Sequence, residues 1–237
     1  MNFNKLILTN NQCYVAGVKH TPVGIFVHST GANNPYLKRY VAPDDGKLGV
    51  NKYNNHWNQK YPEGRSICVH AFIGKLEDGS VATYQTLPFD MVGWHSGSGS
   101  KGSANFMGYL GFEICEDGLD DKDYFDKVYK EAVEFCISLC GTFPTIKIEN
   151  IIGHYEGSER GIASNHGDPK HWFSKFGKSM DTFRADVQKG LNNIKTKNEV
   201  DVLYRVQVGT FKDKKNAEEY LKKIQAAGFK DAFIKEC

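Results

Sequence analysis

The chain contains 237 residues, of which 40% are apolar and 24% are charged. These values are typical of a globular protein that buries a full core and has residues left for a small appendage. The formal net charge of +2 is too small to indicate binding to nucleic acid or to a membrane surface, so neither partner is expected.

The cysteines and the N-terminal segment indicate the compartment in which the chain is synthesised. Cys136 and Cys140 lie four residues apart in a helical pattern, which favours small core residues over a bridge or a metal pair. The start, MNFNKLILTNNQ, has an apolar run too short for a signal peptide, and no segment is long enough for a membrane helix. We therefore expect synthesis in the cytoplasm, with reduced cysteines.

Two β-segments are predicted in the first part of the chain. The continuous apolar run from Val23 to Val27 is typical of a strand buried on both faces, and it ends at His28. Between Ser66 and Gln85, two strand-like runs flank the turn residues at 77–79, which predicts a hairpin.

A third strand is predicted from alternation between Tyr109 and Cys115. Its large apolar side chains share one face, whereas Glu113 lies on the other face. A carboxylate between apolar neighbours favours a functional role over that of a surface residue.

The remaining elements of the main domain are mostly helical. Apolar residues spaced three and four apart predict a helix that is capped by Asp121 or Asp123 and ends at Gly141. A short strand is predicted at 148–152, and a last helix at 179–191. Strands interleaved with helices predict an α/β fold, with a mixed central sheet flanked by helices.

The sequence divides into three parts. Residues 1–192 form the main domain, and residues 193–203 have no clear apolar period, so they are interpreted as a linker. Residues 204–237 contain an alternating run, a helical pattern that stops at Gly228, and a second apolar run, which predicts a βαβ tail. Such a small unit buries little, so it is expected to need a partner copy, the main domain, or both.

Three residues that follow hydrophobic segments are candidates for ligands of a catalytic zinc ion: His28, His154 and Asp168. Two imidazoles and one carboxylate leave a tetrahedral ion one position for water, which is the composition of a hydrolytic site. Alternatively, Asp168 caps the turn before Pro169, and His166 is the third ligand.

Five segments, GIFVHST, GWHSG, LGFEI, IIGHYE and HGDP, resemble in this order the signature segments of the type 2 N-acetylmuramoyl-L-alanine amidases. This family includes phage lysins and peptidoglycan recognition proteins, and the resemblance covers roughly residues 20–175. It implies that zinc is bound by His28, His154 and Asp168, and that Glu113 is the general base. Many members have a lysine two residues before the third ligand; His166 stands there and would stabilise the tetrahedral intermediate.

The other histidines carry weaker signals. His95 and its neighbour Trp94 fit the wall of a substrate groove, although Trp94 fits the core equally well. His70 lies in an alternating run and is interpreted as structural. The remaining three have no context that predicts a role: His20, His56 and His171.

The resemblance implies zinc-dependent hydrolysis of the amide bond between N-acetylmuramic acid and L-alanine in peptidoglycan. We expect a bacteriolytic enzyme, either a phage endolysin that reaches the wall after holin-type release or an autolysin. One alternative is a peptidoglycan-binding recognition module without catalysis. Another is an enzyme that cuts small soluble muropeptides.

The C-terminal segments YRVQVGTF and AEEYLKKIQAAGF resemble the first half of a SPOR repeat. This module is associated with binding glycan strands that have lost their peptides, and a full domain has two such halves. The resemblance therefore implies that residues 204–237 bind the cell wall after two chains pair as a homodimer, or that this role is lost.

Overall fold

The computed structural model of the chain describes residues 1–200 and 206–236, with the backbone alone at 195–200. The chain divides into two compact units, Met1–Ile194 and Lys195–Cys237. Within the described ranges, no helix has the length and apolar character needed to cross a membrane.

Six strands and six helices make up the regular structure of the described residues. The strands are β1 (Phe3–Lys5), β2 (Gly24–Ser29), β3 (Ala71–Lys75), β4 (Val81–Gln85), β5 (Tyr109–Ile114) and β6 (Ile151–Gly153). The helices are α1 (Gln12–Ala16), α2 (Lys122–Thr142), α3 (His154–Glu159), α4 (Lys170–Phe173), α5 (Met180–Val200) and α6 (Lys214–Ala226).

All six strands form one mixed sheet in the order β1-β4-β3-β5-β2-β6. β3 and β4 form the predicted antiparallel hairpin, whereas β2 pairs in parallel with both β5 and β6. The register sets His28 of β2 beside Glu113 of β5, and Val27 beside Gly153 of β6. The predicted α/β architecture with a mixed central sheet is therefore confirmed.

The two faces of the sheet carry different residues. Leu110, Phe112 and Ile114 of β5 pack with side chains of α2, α4 and α5 in the main apolar cluster. Gly111 and Glu113, which alternate with them, lie on the opposite face. α2, α4 and α5 thus cover one face of the sheet, and Gly111 and Glu113 lie on the other.

α2 is the longest helix of the main domain whose side chains are all described, and it matches its prediction closely. Asp121 is the N-cap, and its side chain accepts a hydrogen bond from the backbone N–H of Tyr124. The helix ends at Thr142, one residue beyond the predicted stop. Cys136 is buried and Cys140 packs against the same cluster, as expected for small core residues.

α5 is longer than its prediction. It runs to Val200 and so continues through residues 193–200, which the sequence analysis assigned to a linker. This segment contains no glycine or proline and several good helix formers, so the helix does not have to stop where its apolar stripe ends. The remaining linker residues, 201–203, lie outside the described residues.

The C-terminal tail is helical where regular structure is present. α6 is confirmed; Asp213 caps it, and Gly228 follows it with a φ of 106°. The predicted strands are not formed at 206–208 or at 232–235, and residues 204–205 lie outside the described residues. A strand exists only with a hydrogen-bonded neighbour, and none of the described segments pairs with these two.

His70 is a buried core residue that precedes β3. Its Nδ1 accepts a hydrogen bond from the N–H of Gly111 at 3.0 Å, and its Nε2 donates to the carbonyl of Met91 at 2.8 Å. A neutral imidazole satisfies both contacts, in agreement with the structural interpretation. Burial lowers the pKa of His70 to about 4.

His70 gives the fold a defined dependence on pH. The unfolded chain takes up a proton near pH 6.5, whereas folded His70 does so only near pH 4. Its contribution to the free energy of unfolding is therefore fully present above about pH 6.5 and is lost as the pH falls towards 4.

We expect His70→Gln, which keeps one donor and one acceptor, to reduce the loss of unfolding free energy between pH 7 and pH 5 by about 2 kcal/mol. Urea unfolding of the metal-free wild type and variant at both pH values measures this difference. Equal losses for the two proteins would show that His70 is not the titrating group.

Candidate metal centre and substrate groove

Three side chains converge at the carboxyl edge of the sheet. His28 Nδ1 lies 3.0 Å from Asp168 Oδ2 and 3.1 Å from His154 Nδ1, and His154 Nδ1 lies 3.5 Å from Asp168 Oδ1. They are the only described residues that form such a group of potential metal ligands. Both imidazoles are buried, whereas the carboxylate is partly exposed.

The separations suit a small divalent ion. Ligand atoms about 2.0 to 2.1 Å from a tetrahedral zinc ion lie about 3.3 Å from one another, close to the distances between these three side chains. The donor set of two nitrogens and one oxygen is also one that zinc accepts in catalytic sites. The residues present therefore fit zinc.

The hydrogen bonds behind His28 determine which of its nitrogens is free. His28 Nε2 lies 3.0 Å from His95 Nδ1, and His95 Nε2 lies 3.3 Å from the carbonyl oxygen of Tyr109. A carbonyl only accepts, so His95 donates to it through Nε2 and accepts from His28 through Nδ1. In the neutral form of His28, which is the form that binds metal, Nδ1 is then the nitrogen without a proton, and it faces the other two ligands.

His154 is arranged in the same way. Its Nε2 lies 3.3 Å from Ser164 Oγ, and this hydroxyl donates to the carbonyl of Ser96 at 3.1 Å. Ser164 therefore accepts the proton of Nε2 and leaves His154 Nδ1 free. Burial and the neighbouring His28 lower the pKa of His154 to about 4, which favours the neutral form that binds metal.

These assignments bring three acceptor atoms into contact. With both Nδ1 atoms unprotonated, the lone pairs of His28, His154 and Asp168 face one another at 3.0 to 3.5 Å. Such atoms repel unless a proton or a metal ion lies between them. The neutral ligands thus form a set of acceptors that suits a bound metal ion, in line with the distances.

The start of α3 fixes His154. Glu156 accepts a hydrogen bond from the N–H of Gly153 at 2.9 Å and forms a bidentate pair with Arg184 of α5. This charge-assisted pair holds the first turn of α3 against the edge of the sheet. His154 is the first residue of that turn, so its direction is set by the end of β6.

His95 is brought close to His28 by a glycine. A Cβ added at Gly111 would lie 2.5 Å from His95 Cγ, so the ring occupies the space that a side chain of β5 would fill. Burial lowers the pKa of His95 well below its usual value, and His28 and His70 lower it further. His95 is therefore neutral, as its hydrogen bonds require.

Glu113 faces the same cavity with a free oxygen. Its Oε2 is buried and has no hydrogen-bond partner among the described residues. Burial raises the pKa of Glu113 well above its usual value, and the carboxylates of Asp168, Glu116 and Glu63 raise it further. A buried carboxylate beside candidate metal ligands is arranged as a group that exchanges a proton with bound water.

The centre lies in a cavity of about 510 Å³ that is open to solvent. Trp94 lines it, is 36% exposed, and packs edge to face on Phe106, so it does not belong to the core. His95 lines the cavity as well as contacting His28. The substrate-binding roles of Trp94 and His95 stay predictions.

His166 lies on the wall of this cavity, exposed, with its ring centroid 4.6 Å from that of His154. It is not part of the converging group, so the geometry favours Asp168 as the third ligand. Its role with the tetrahedral intermediate stays a prediction.

The outer wall of the cavity was not predicted from the sequence. It includes Arg39 and Arg65, which both bond to Glu63, at 3.0 and 3.2 Å. His171, for which no role was predicted, also lines the cavity and lies 2.9 Å from Glu116. They come from separate parts of the chain, Arg39 from a 3₁₀ turn, Arg65 from a loop and His171 from α4, and only the folded chain brings them together.

Comparisons with known proteins identify the family and the fold. The family model for N-acetylmuramoyl-L-alanine amidase (Amidase_2) matches residues 19–171, and the SPOR domain model matches residues 179–235. The SPOR match therefore starts earlier than the segment predicted from the sequence. A search of curated protein sequences gave no match.

Several solved structures share the fold. The structure of PlyL is 16% identical, with a TM-score of 0.53 over 79% of this chain and 96% of that one. The catalytic domain of PlyG is 19% identical, with a TM-score of 0.55 over 81% and 96%. The hydrolase AmiA of Staphylococcus aureus, solved in complex with its ligand, is 16% identical, with a TM-score of 0.55 over 83% and 85%.

At these identities the neighbours show the fold alone. The family model covers most of the chain and includes all three converging side chains and Glu113. This chain belongs to the N-acetylmuramoyl-L-alanine amidase family, with a match to the SPOR domain at its C-terminal end.

Proposed function

We propose that this protein hydrolyses the amide bond between N-acetylmuramic acid and L-alanine in peptidoglycan, using zinc held by His28, His154 and Asp168. The observation that carries the proposal is the convergence of these three side chains beside a buried oxygen of Glu113, which has no hydrogen-bond partner among the described residues. Membership of the amidase family supports the identity of the bond.

The chemistry divides between the ion and the protein. Zinc in this donor set supplies a Lewis acid that polarises the amide carbonyl and activates water. Glu113 accepts the proton of the attacking water through its free oxygen and returns it to the leaving amine. His166, on the cavity wall, donates a hydrogen bond to the oxyanion as it forms.

The cavity offers two kinds of surface to a substrate. Trp94, which packs against the exposed ring of Phe106, presents an aromatic surface suited to the apolar face of a sugar ring. Arg39 and Arg65 pair with Glu63 and together keep one positive charge, which suits a carboxylate of a stem peptide.

The C-terminal part supports a substrate in the wall itself. A SPOR match on the same chain as an amidase supports attachment to intact peptidoglycan, because a small soluble muropeptide needs no anchor. We therefore assign the protein a lytic role, as an endolysin or autolysin. Pairing of two chains through the C-terminal segment belongs to the same proposal.

The metal can be tested directly. We expect the purified protein to contain about one equivalent of zinc, and chelation to abolish release of peptides from purified wall until zinc is restored, because the ligand set leaves a position for water. Elemental analysis and mass spectrometry of the released fragments measure both effects. His28→Ala and Asp168→Ala should lose the metal and the cleavage together.

The fragments also identify the bond. Free L-alanine amino termini and bare glycan are the expected products. Cleavage at a different bond, or full cleavage by the metal-free protein, would contradict the proposal. Tight binding to the wall with neither metal nor cleavage would identify a recognition module instead.

The role of Glu113 can be separated from metal binding. Glu113→Gln should lower kcat by about 10²- to 10⁴-fold, because an amide cannot accept the proton of water, while bound zinc stays at the wild-type level. Steady-state cleavage of wall fragments, with elemental analysis of the same samples, gives both values.

Glu116→Gln is the matched control. Glu116 is a buried carboxylate on the segment after β5, but it does not line the cavity. Its replacement should change kcat by only a few-fold. Wild-type kcat in Glu113→Gln would remove Glu113 as the base.

A further inference from the structure

One short turn, residues 95–97, lies behind both imidazole ligands. The ring of its first residue accepts the hydrogen bond of His28. The carbonyl of its second residue accepts two hydrogen bonds from Ser164, from the backbone N at 2.8 Å and from Oγ at 3.1 Å. Ser164 also bonds to His154, so the position of residues 95–97 determines where the hydrogen-bond partners of both ligands lie.

One buried side chain makes three hydrogen bonds to this turn. Asn105 is completely buried, and its Oδ1 accepts from the N–H groups of His95 at 3.0 Å and Ser96 at 3.1 Å. Its Nδ2 donates to the carbonyl of Gly97 at 3.2 Å and to Ser103 Oγ at 2.9 Å. All four hydrogen-bonding positions of the amide are used, three of them on the turn.

The position of Asn105 in the chain makes it a rigid anchor. It lies in the 3₁₀ turn Ala104–Phe106, just before β5, the strand that carries Glu113. The turn behind the ligands is therefore attached to the same element that positions the proposed base. A side chain on a mobile loop would not hold the two ligands and the base at fixed separations.

We propose that Asn105 is a positioning residue for the metal centre: by fixing residues 95–97, it orients His28 and His154 and keeps their Nδ1 atoms free for the ion. The inference rests on the zinc binding proposed above. Outer hydrogen-bond partners of ligating histidines change metal affinity by about 10- to 100-fold when they are removed. One residue that serves two ligands is expected to act in that range.

Asn105→Asp tests the role with almost no change in shape. A carboxylate still accepts from the two N–H groups of the turn, but it cannot donate to Gly97 and sets an anionic oxygen against that carbonyl. The turn must then shift. We expect the dissociation constant for zinc, measured on the full chain by competition with a chromophoric chelator, to rise by about 10- to 100-fold.

A second readout reports on geometry rather than affinity. The visible absorption of the cobalt-substituted protein depends on the arrangement of the ligands, so its bands should shift in Asn105→Asp. Ser164→Ala, which removes only the His154 branch, should raise the zinc dissociation constant by less than Asn105→Asp does. Urea unfolding of each metal-free variant establishes that it is folded in the assay.

Asn11→Asp is the matched control. Asn11 is also completely buried, and its Nδ2 donates to two backbone carbonyls, those of Trp57 at 3.0 Å and Ile67 at 2.9 Å. It has no contact with the turn behind the ligands. The variant should lose a similar amount of unfolding free energy and keep the wild-type zinc affinity and cobalt spectrum.

The outcomes separate the two proposals. If folded Asn105→Asp binds zinc as tightly as the wild type with the same cobalt spectrum, the positioning role is wrong and the proposed function stands. If the wild type binds no zinc, both fail. If Asn105→Asp does not fold, Asn105→Ser decides: this variant removes the amide that bonds to the turn and keeps Ser103 as a donor to Gly97, and an unchanged zinc affinity of the folded variant would overturn the inference.

Discussion

The parallel pairing of β2 with β5 and β6 is the constraint on which the site depends. Parallel neighbours leave the sheet at the same edge, so His28, Glu113 and His154 meet there although they are far apart in the sequence. Slippage of β5 by one residue would exchange its apolar face with the face that carries Glu113. Packing of that apolar face against α2 and α5 therefore also fixes the register of the site.

The elements that carry the site could be predicted because their signals are local. The apolar run from Val23 to Val27 ends where His28 begins the site, and the alternation from Tyr109 to Cys115 gives the direction of Glu113. The resemblance to amidases then identified these segments, in their order along the chain, as signature segments of one family. The structural role of His70 also followed from alternation, but its hydrogen bonds did not.

The parts that could not be predicted depend on distant contacts. Asn105 and Ser164 have no motif of their own, and their function is visible only once the turn at 95–97 lies against both. The contact of Trp94 with Phe106, which lies on a separate turn, likewise has no signal in the sequence around Trp94. The C-terminal strands were predicted from alternation, but a strand also needs a neighbour, and alternation cannot supply one.

Gly111 limits how this enzyme can vary. Glycine is a poor strand former, yet Gly111 occupies a strand in the middle of the sheet, because the ring of His95 fills the volume that a side chain would need. The N–H of Gly111 donates a hydrogen bond to the ring of His70. The space between Gly111 and the metal centre is thus already filled by imidazole rings. Variation in the shape of the cavity would therefore have to arise on the wall that carries Arg39 and Arg65.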